Sequence, residues 1–168
     1  MMKRGAWTGI ALALVLLWPP ALALDSEETA FLSIINDYRL TNGLAALALS
    51  PTLTTASELH SQDMADQNYF SHYSLDGRSP WDRMRDAGYN YATSVGENIA
   101  AGYVTAQDVF QAWKDSPGHN AIMLSSSFRA IGIGRAYNAS SYYDWYWTAD
   151  FGGYDDSGAP LPPMVTVT

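Results

Sequence analysis

The chain has 168 residues, with 9 basic against 17 acidic side chains and no cysteine. The net charge of −8 argues against a nucleic acid as resident partner, because an acidic surface does not attract a phosphate backbone. The absence of cysteine excludes disulfides and a lipid-modified N-terminal cysteine, so 6 Trp, 11 Tyr and 5 Phe must supply the packing.

Residues 1–23 have the pattern of a secretory signal peptide. Lys3 and Arg4 precede an apolar run over residues 7–18, Pro19-Pro20 interrupts that run, and Ala21-Leu22-Ala23 forms a cleavage site. The run is short for a permanent bilayer span. We expect cleavage after Ala23 and a secreted or periplasmic protein without a permanent membrane anchor; the alternative is an uncleaved anchor.

Helical periodicity and start signals dominate the first part of residues 24–168. A helix is predicted over Asp25–Leu40, and a second over Pro51–Gln67, because serine followed by proline opens a helix at Ser50-Pro51. The second helix places an apolar stripe with His60 toward the core and turns Glu58 toward water. The same serine-proline signal predicts short helices over Pro80–Ala87 and from Pro117 to about residue 124, and Thr105 with Asp108 caps another between them.

The later part of the chain has the composition typical of β-strands. Phe128–Tyr137 and Tyr142–Phe151 are rich in β-branched and aromatic residues and predict a β-hairpin, whereas Val95–Tyr103 is interpreted as irregular or a short strand. Helices followed by antiparallel strands predict one α+β layered domain over residues 24–153. Residues 154–168 contain three prolines, and a surface or disordered tail is expected from Asp155.

Three short clusters concentrate the chemistry of the chain. They are Tyr69-Phe70-Ser71-His72, Gly96-Glu97-Asn98-Ile99-Ala100 and Ser116-Pro117-Gly118-His119-Asn120. Each contains one side chain able to bind a metal or carry a proton, namely His72, Glu97 and His119. Two histidines and one carboxylate are a common ligand set for zinc, but the residues are scattered and lack the helical spacing of a zinc motif.

The individual residues also have structural interpretations. His119 lies in the first turn of a predicted helix, where the helix dipole favours a neutral imidazole that can bind metal or accept a proton. His72 could be a polar loop residue. Glu97, if buried, needs a donor or a metal, because an unpaired buried charge is costly. Asn98 is expected to tie backbone groups together, and His60 is assigned to the core.

The aromatic run Tyr142–Trp147 also has two interpretations. Its rings could stack on sugars or lipids. Packing of a core strand explains the run equally well, and we adopt that interpretation.

These residues together resemble the CAP superfamily, which comprises cysteine-rich secretory proteins, antigen-five and plant pathogenesis-related proteins. The similarity extends from about residue 29 to 153, keeps the family's order and is greatest to bacterial secreted members. Its motifs are Asn36-Asp37-Tyr38-Arg39, His60-Ser61-Gln62-Asp63-Met64-Ala65, Phe70-Ser71-His72 with Asp76-Gly77, Gly96-Glu97-Asn98-Ile99-Ala100, Trp113 with Ser116-Pro117-Gly118-His119, Ile131-Gly132-Ile133-Gly134, and residues 147–152.

The resemblance implies a three-layer α-β-α sandwich with a small antiparallel sheet and a cleft lined by two histidines and acidic residues. On this chain the histidines correspond to His72 and His119 and the first glutamate to Glu97, a set implied to hold a divalent ion, for which zinc is expected. Ser116 stands where the family usually has a second cleft glutamate, and Ala149 stands where many relatives have glutamine. The three-residue site that remains is expected to bind metal more weakly, and the missing second glutamate argues against any mechanism that requires two carboxylates.

Three functions follow as hypotheses. The first is a secreted, monomeric binding module whose His72–Glu97–His119 cleft holds a divalent ion and presents a groove to a lipid, peptide or glycan. The second is a metal-dependent hydrolase in which the ion activates water and Glu97 is the general base. The third is a structural protein of the cell envelope with a vestigial cleft.

Overall fold

A computed structural model describes residues 23–158. The signal peptide predicted over residues 1–23 lies outside these residues except for Ala23, as does the tail from residue 159 onward. The helices of the described part are α1 (Ser26–Thr41), α2 (Pro51–Gln67), α3 (Pro80–Asp86), α4 (Ala106–Asp115) and α5 (Pro117–Met123). Its strands are β1 (Ala48–Leu49), β2 (Val95–Ala101), β3 (Ala130–Tyr137) and β4 (Trp145–Gly152).

The helices begin where the sequence predicts, and side-chain caps explain most of these starts. The Asp25 carboxylate accepts from the backbone of Glu27 and Glu28 at the start of α1. Ser50 accepts from Leu53 N at 3.1 Å, so the predicted bounds of α2 are confirmed. Ser116 differs, because its side chain caps nothing and its extended backbone separates α4 from α5.

The sheet has the strand order β1-β3-β4-β2, which places β2 at one edge. The predicted hairpin is confirmed as the antiparallel pair β3 and β4. β2, interpreted as irregular or a short strand, is a regular seven-residue strand antiparallel to β4. β1 was not predicted and pairs in parallel with β3 over only two residues, too few for a recognisable period.

Helices cover both faces of the sheet, as the α-β-α expectation requires. α1, α4 and α5 lie on one face, where Phe31, Trp113 and Trp147 belong to the largest apolar cluster. α2 and α3 lie on the other face. α2 packs very close to β3, since a Cβ added at Gly132 would lie 2.0 Å from the Leu53 carbonyl carbon.

One smaller expectation, the exposure of Glu58, is corrected. Glu58 does not face water: it is half-buried, and its Oε2 has no hydrogen-bond partner within residues 23–158. Within the expected surface tail, Asp155, Ser157 and Gly158 are exposed, whereas Asp156 is buried and accepts from the Thr52 hydroxyl at 2.5 Å. Among the described residues, no helix combines the length and apolar character needed to span a membrane.

Candidate functional site

His72 is held by the loop that connects α2 to α3. The His60 ring on α2 contacts the Ser71 carbonyl through Nε2 at 3.0 Å. On the other side of the loop, Arg83 of α3 donates from Nη1 to the His72 carbonyl at 2.9 Å. Buried groups of two helices therefore fix the backbone of His72, although 47% of its side chain is exposed.

Glu97 projects from β2 toward the layer formed by α2 and α3, and only 2% of its side chain is exposed. Its Oε1 lies 2.6 Å from His72 Nδ1 and its Oε2 lies 2.5 Å from Arg83 Nη2. Glu97 is therefore buried with two donors. A buried Glu97 was expected to need a donor or a metal, and the two donors meet that need. A carboxylate accepting from Nδ1 places the proton of neutral His72 there and leaves Nε2 as its free ligand nitrogen.

Asn98, the next residue of β2, points to the opposite face of the sheet because side chains alternate along a strand. Its Nδ2 donates to the His119 carbonyl at 3.1 Å and so ties α5 to β2, as the sequence predicts. Its Oδ1 is buried without a partner within residues 23–158, and Ala149 stands opposite it on β4. Two neighbouring residues of β2 thus position the two histidines: Glu97 contacts His72 on one face of the sheet, and Asn98 holds His119 on the other.

The two histidines meet at one cavity beside the edge strand β2. The cavity has a volume of about 440 Å³ and is lined by Phe70, Ser71, His72, Tyr73, Ile99 and His119. The pKa of His119 is lowered, first by burial and then by the neighbouring charge of His72. Burial and the neighbouring His72 both favour the neutral ring, which is the form expected from its position in the first turn of α5.

Two charged residues of the site were missed at the sequence level. Arg83 is buried in a seven-residue helix, and nothing in the sequence distinguishes it from Arg85. Asp150 lies directly across from Glu97 on β4 and is buried, with Oδ2 accepting from Ser57 Oγ at 3.0 Å. Burial and then the charge of Glu97 raise the pKa of Asp150. A lone acid within an aromatic strand was the available signal for Asp150.

The donor set expected for a metal is His72, Glu97 and His119. Within residues 23–158, no group of three or more His, Asp or Glu side chains could hold a metal ion. Both oxygens of Glu97 are already occupied by His72 and Arg83. His72 and His119 line one cavity, and Glu97 contacts His72 Nδ1 in the way that carboxylates orient metal-bound histidines. Direct ligation by Glu97 stays a prediction.

Two interpretations of aromatic and histidine residues have clear outcomes. His60 is buried, and burial followed by the charge of Arg83 lowers the pKa of His60 to about 4, so its assignment to the core is confirmed. The aromatic run Tyr142–Trp147 divides: Tyr146 and Trp147 are buried on β4, whereas Tyr142 and Tyr143 precede that strand and are exposed. Core packing therefore explains only the second half of that run.

Comparison with known proteins gives consistent results. Residues 32–151 match the model of the CAP family, described as the cysteine-rich secretory protein family. The chain is 37% identical over 131 residues to the uncharacterised protein YkwD of Bacillus subtilis, covering 78% of this chain and 49% of that protein. It is 33% identical over 109 residues to the uncharacterised membrane protein YlbC of the same organism, covering 65% and 31%. The chain therefore spans half or less of these relatives.

Solved structures show the same architecture. An extracellular SCP-domain protein from Bacillus anthracis superposes with a TM-score of 0.66 at 29% identity, over 75% of this chain and 40% of that chain. An outer surface protein from Borrelia burgdorferi superposes with a TM-score of 0.68 at 21% identity, over 79% and 97%. The second similarity concerns the fold alone.

Proposed function

This chain belongs to the CAP family of cysteine-rich secretory proteins, and from that premise we propose that it is an exported ligand-binding module. Its cleft holds a divalent metal ion, zinc by ligand type, between His72 and His119. The groove beside them receives a lipid, peptide or glycan. Export rests on the pattern of residues 1–23, and the similar protein from Bacillus anthracis is described as extracellular.

The observation that carries this proposal is the convergence of two imidazoles on one cavity. His72 and His119 both line it, one from the loop before α3 and the other from α5. A neutral imidazole nitrogen is the protein ligand that suits zinc. With only two protein ligands the site is weak, and the remaining positions stay open for water or a donor atom of the bound ligand.

Glu97 and Arg83 orient this site. The Glu97 carboxylate fixes the His72 tautomer, and Arg83 holds both that carboxylate and the backbone of His72. Such partners behind a metal ligand typically change metal affinity by about 10- to 100-fold when removed. The same contacts disfavour the hydrolase hypothesis, because a general base needs an oxygen facing the reacting water and Glu97 has both oxygens engaged.

Zinc titration of the purified protein by calorimetry tests the proposal. We expect one ion per chain, a loss of at least about tenfold in affinity in His72→Ala and in His119→Ala, and a loss of about 10- to 100-fold in Glu97→Gln. Tyr73→Phe is the matched control, since Tyr73 lines the cavity without offering a nitrogen ligand. Equal zinc affinity in the wild type and both histidine variants would contradict the proposal that the cleft binds the metal.

A further inference from the structure

Exposed aromatic rings continue outward from the cavity. Phe70, Tyr142 and Tyr143, here called the aromatic ledge, have 43%, 81% and 41% of their surface exposed. Phe70 also lines the cavity, so the ledge and the cleft are continuous. The Phe70 and Tyr143 ring centroids are 5.9 Å apart, and those of Tyr142 and Tyr143 are 4.8 Å apart. Exposed aromatic groups of this kind indicate a binding surface.

The ledge is built on an anchored backbone. Tyr142 donates its backbone N–H to Asn68 Oδ1 at 2.6 Å, directly after the end of α2. Asn138 donates from Nδ2 to the Ala65 carbonyl at 3.0 Å. The loop between β3 and β4 is therefore attached to α2 at two points. Its tyrosines are presented without a large ordering cost on binding.

The charge around the ledge is negative. Residues 40–77 and 136–168, which supply all three rings, contain no lysine or arginine. Asp144 follows Tyr143 directly, is exposed and has no ion-pair partner within residues 23–158. Asp63 and Asp66 lie at the same end of α2 as Asn68. Asp63 accepts from Gln67 and Tyr69, and Asp66 accepts from Gln62, but neither forms an ion pair among the described residues. A surface that combines aromatic rings with carboxylates free of ion pairs complements a cationic group.

The other ligand classes fit this surface less well. A sugar ring stacks on a flat aromatic face, but the ledge rings meet at 61° and 81° and form corners instead of a platform. A membrane surface carries phosphate groups, which the carboxylates repel. Corners between rings suit a compact ammonium or a guanidinium group.

We propose that the aromatic ledge and Asp144 recognise lysine or arginine side chains of a basic peptide whose adjoining segment lies in the histidine cleft. This inference rests on the proposed binding function and names the ligand class. The rings contribute cation–π contacts, and the carboxylates attract the peptide and weaken its binding as salt is added.

Fluorescence anisotropy with labelled decapeptides tests this inference. We expect the protein to bind a peptide of alternating lysine and glycine at least tenfold more tightly than the peptide with glutamate in place of lysine. Tyr142→Leu and Tyr143→Leu should each weaken binding by roughly threefold to tenfold, whereas Tyr143→Phe keeps the ring and the affinity. Tyr154→Leu is the control, an exposed tyrosine beyond the opposite end of β4.

Several outcomes would overturn the ledge assignment. These are equal affinity for the two peptides, no binding of either, equal losses in Tyr143→Leu and Tyr154→Leu, or tyrosine-dependent binding of a chito-oligosaccharide or of anionic phospholipid vesicles in place of the basic peptide. Failure of the metal site is separable, because zinc binding is measured without peptide. If the protein binds no zinc but still binds the basic peptide through Tyr142 and Tyr143, the ledge assignment is supported and the metal site is contradicted.

Discussion

At the scale of the residue, the contacts of Glu97 determine the character of the cleft. A carboxylate with 2% of its side chain exposed requires partners, and it has one from the cleft and one from the protein interior. His72 connects Glu97 to the cavity, while Arg83 compensates its charge and that of neighbouring Asp150. Arg83 is therefore the residue on which the charge balance of the site depends.

Replacement of Arg83 should be far more damaging than replacement of Arg85 on the same helix. Arg83→Met leaves Glu97 as a buried charge without its cation, which we expect to cost about 3–5 kcal/mol in the free energy of unfolding. Arg85 makes a surface pair with Asp82, so Arg85→Met should cost less than about 1 kcal/mol. Denaturation in urea measures both, and equal losses would show that the buried pair has no special role.

Glu58 predicts a pH dependence of stability. Burial, followed by the charges of Glu28 and Asp25, raises the pKa of Glu58 from 4.5 to about 7. Since the folded protein holds this proton more tightly than the unfolded chain, ionisation costs stability as the pH rises from about 4.5 through 7. Glu58→Gln should therefore be more stable than the wild type by on the order of 2 kcal/mol at pH 8, with little difference at pH 4.

The control for this prediction is Asp66→Asn, an exposed substitution on the same helix. Its stability relative to the wild type should change little between the two pH values. A stability difference between Glu58→Gln and the wild type that does not grow from pH 4 to pH 8 contradicts the account of Glu58.

The sequence predicted some of these residues and not others, for identifiable reasons. His72 and His119 stand out because the chain has only three histidines, and Glu97 stands out because it lies in a stretch of low charge. His72 and His119 line the cavity, and Glu97 contacts His72. Arg83 and Asp150 owe their roles to neighbours that are distant along the chain. The exposure of Tyr142 and Tyr143 depends on where β4 begins, and a continuous aromatic run does not reveal that boundary.

At the scale of the element, β2 organises the site because its alternation sends Glu97 to one helical layer and Asn98 to the other. This strand was not identified with certainty from sequence, since its polar centre lacks the apolar alternation of a typical strand. The helix starts were predictable because their caps are local in sequence. β1 was not, because its pairing with β3 joins distant segments.

The close packing of α2 on β3 gives a prediction for the glycines of β3. A Cβ at Gly134 would lie 2.2 Å from Glu58 N, and helix backbone cannot move aside as a side chain can. We expect Gly134→Ala to cost about 3 kcal/mol in the free energy of unfolding. Gly118→Ala on α5 meets open space and should be neutral or gain up to about 1 kcal/mol.

Thermal and urea denaturation compare these two variants directly. A Gly134→Ala protein as stable as the wild type would show that α2 does not lie against β3 at this distance. A large loss in Gly118→Ala would likewise contradict the open space described beside the cleft.

At the scale of the whole molecule, topology produces the cleft. The strand order places β2 at an edge, where groups from both helical layers can reach the same space. The pattern of elements predicted an α+β layered domain, and the family resemblance implied its α-β-α architecture. The meeting of His72 and His119 did not follow from either histidine alone, because 46 residues separate them and only the sheet order brings them together.

The most direct test of this convergence is X-ray diffraction at the zinc absorption edge from crystals grown with zinc. We expect one anomalous peak in the cavity, about 2.0–2.1 Å from a nitrogen of His72 and from a nitrogen of His119. Glu97 should remain hydrogen-bonded to His72 Nδ1 behind the ion. Rings of His72 and His119 that face separate surroundings, or a zinc peak bound away from both, would contradict the shared cleft.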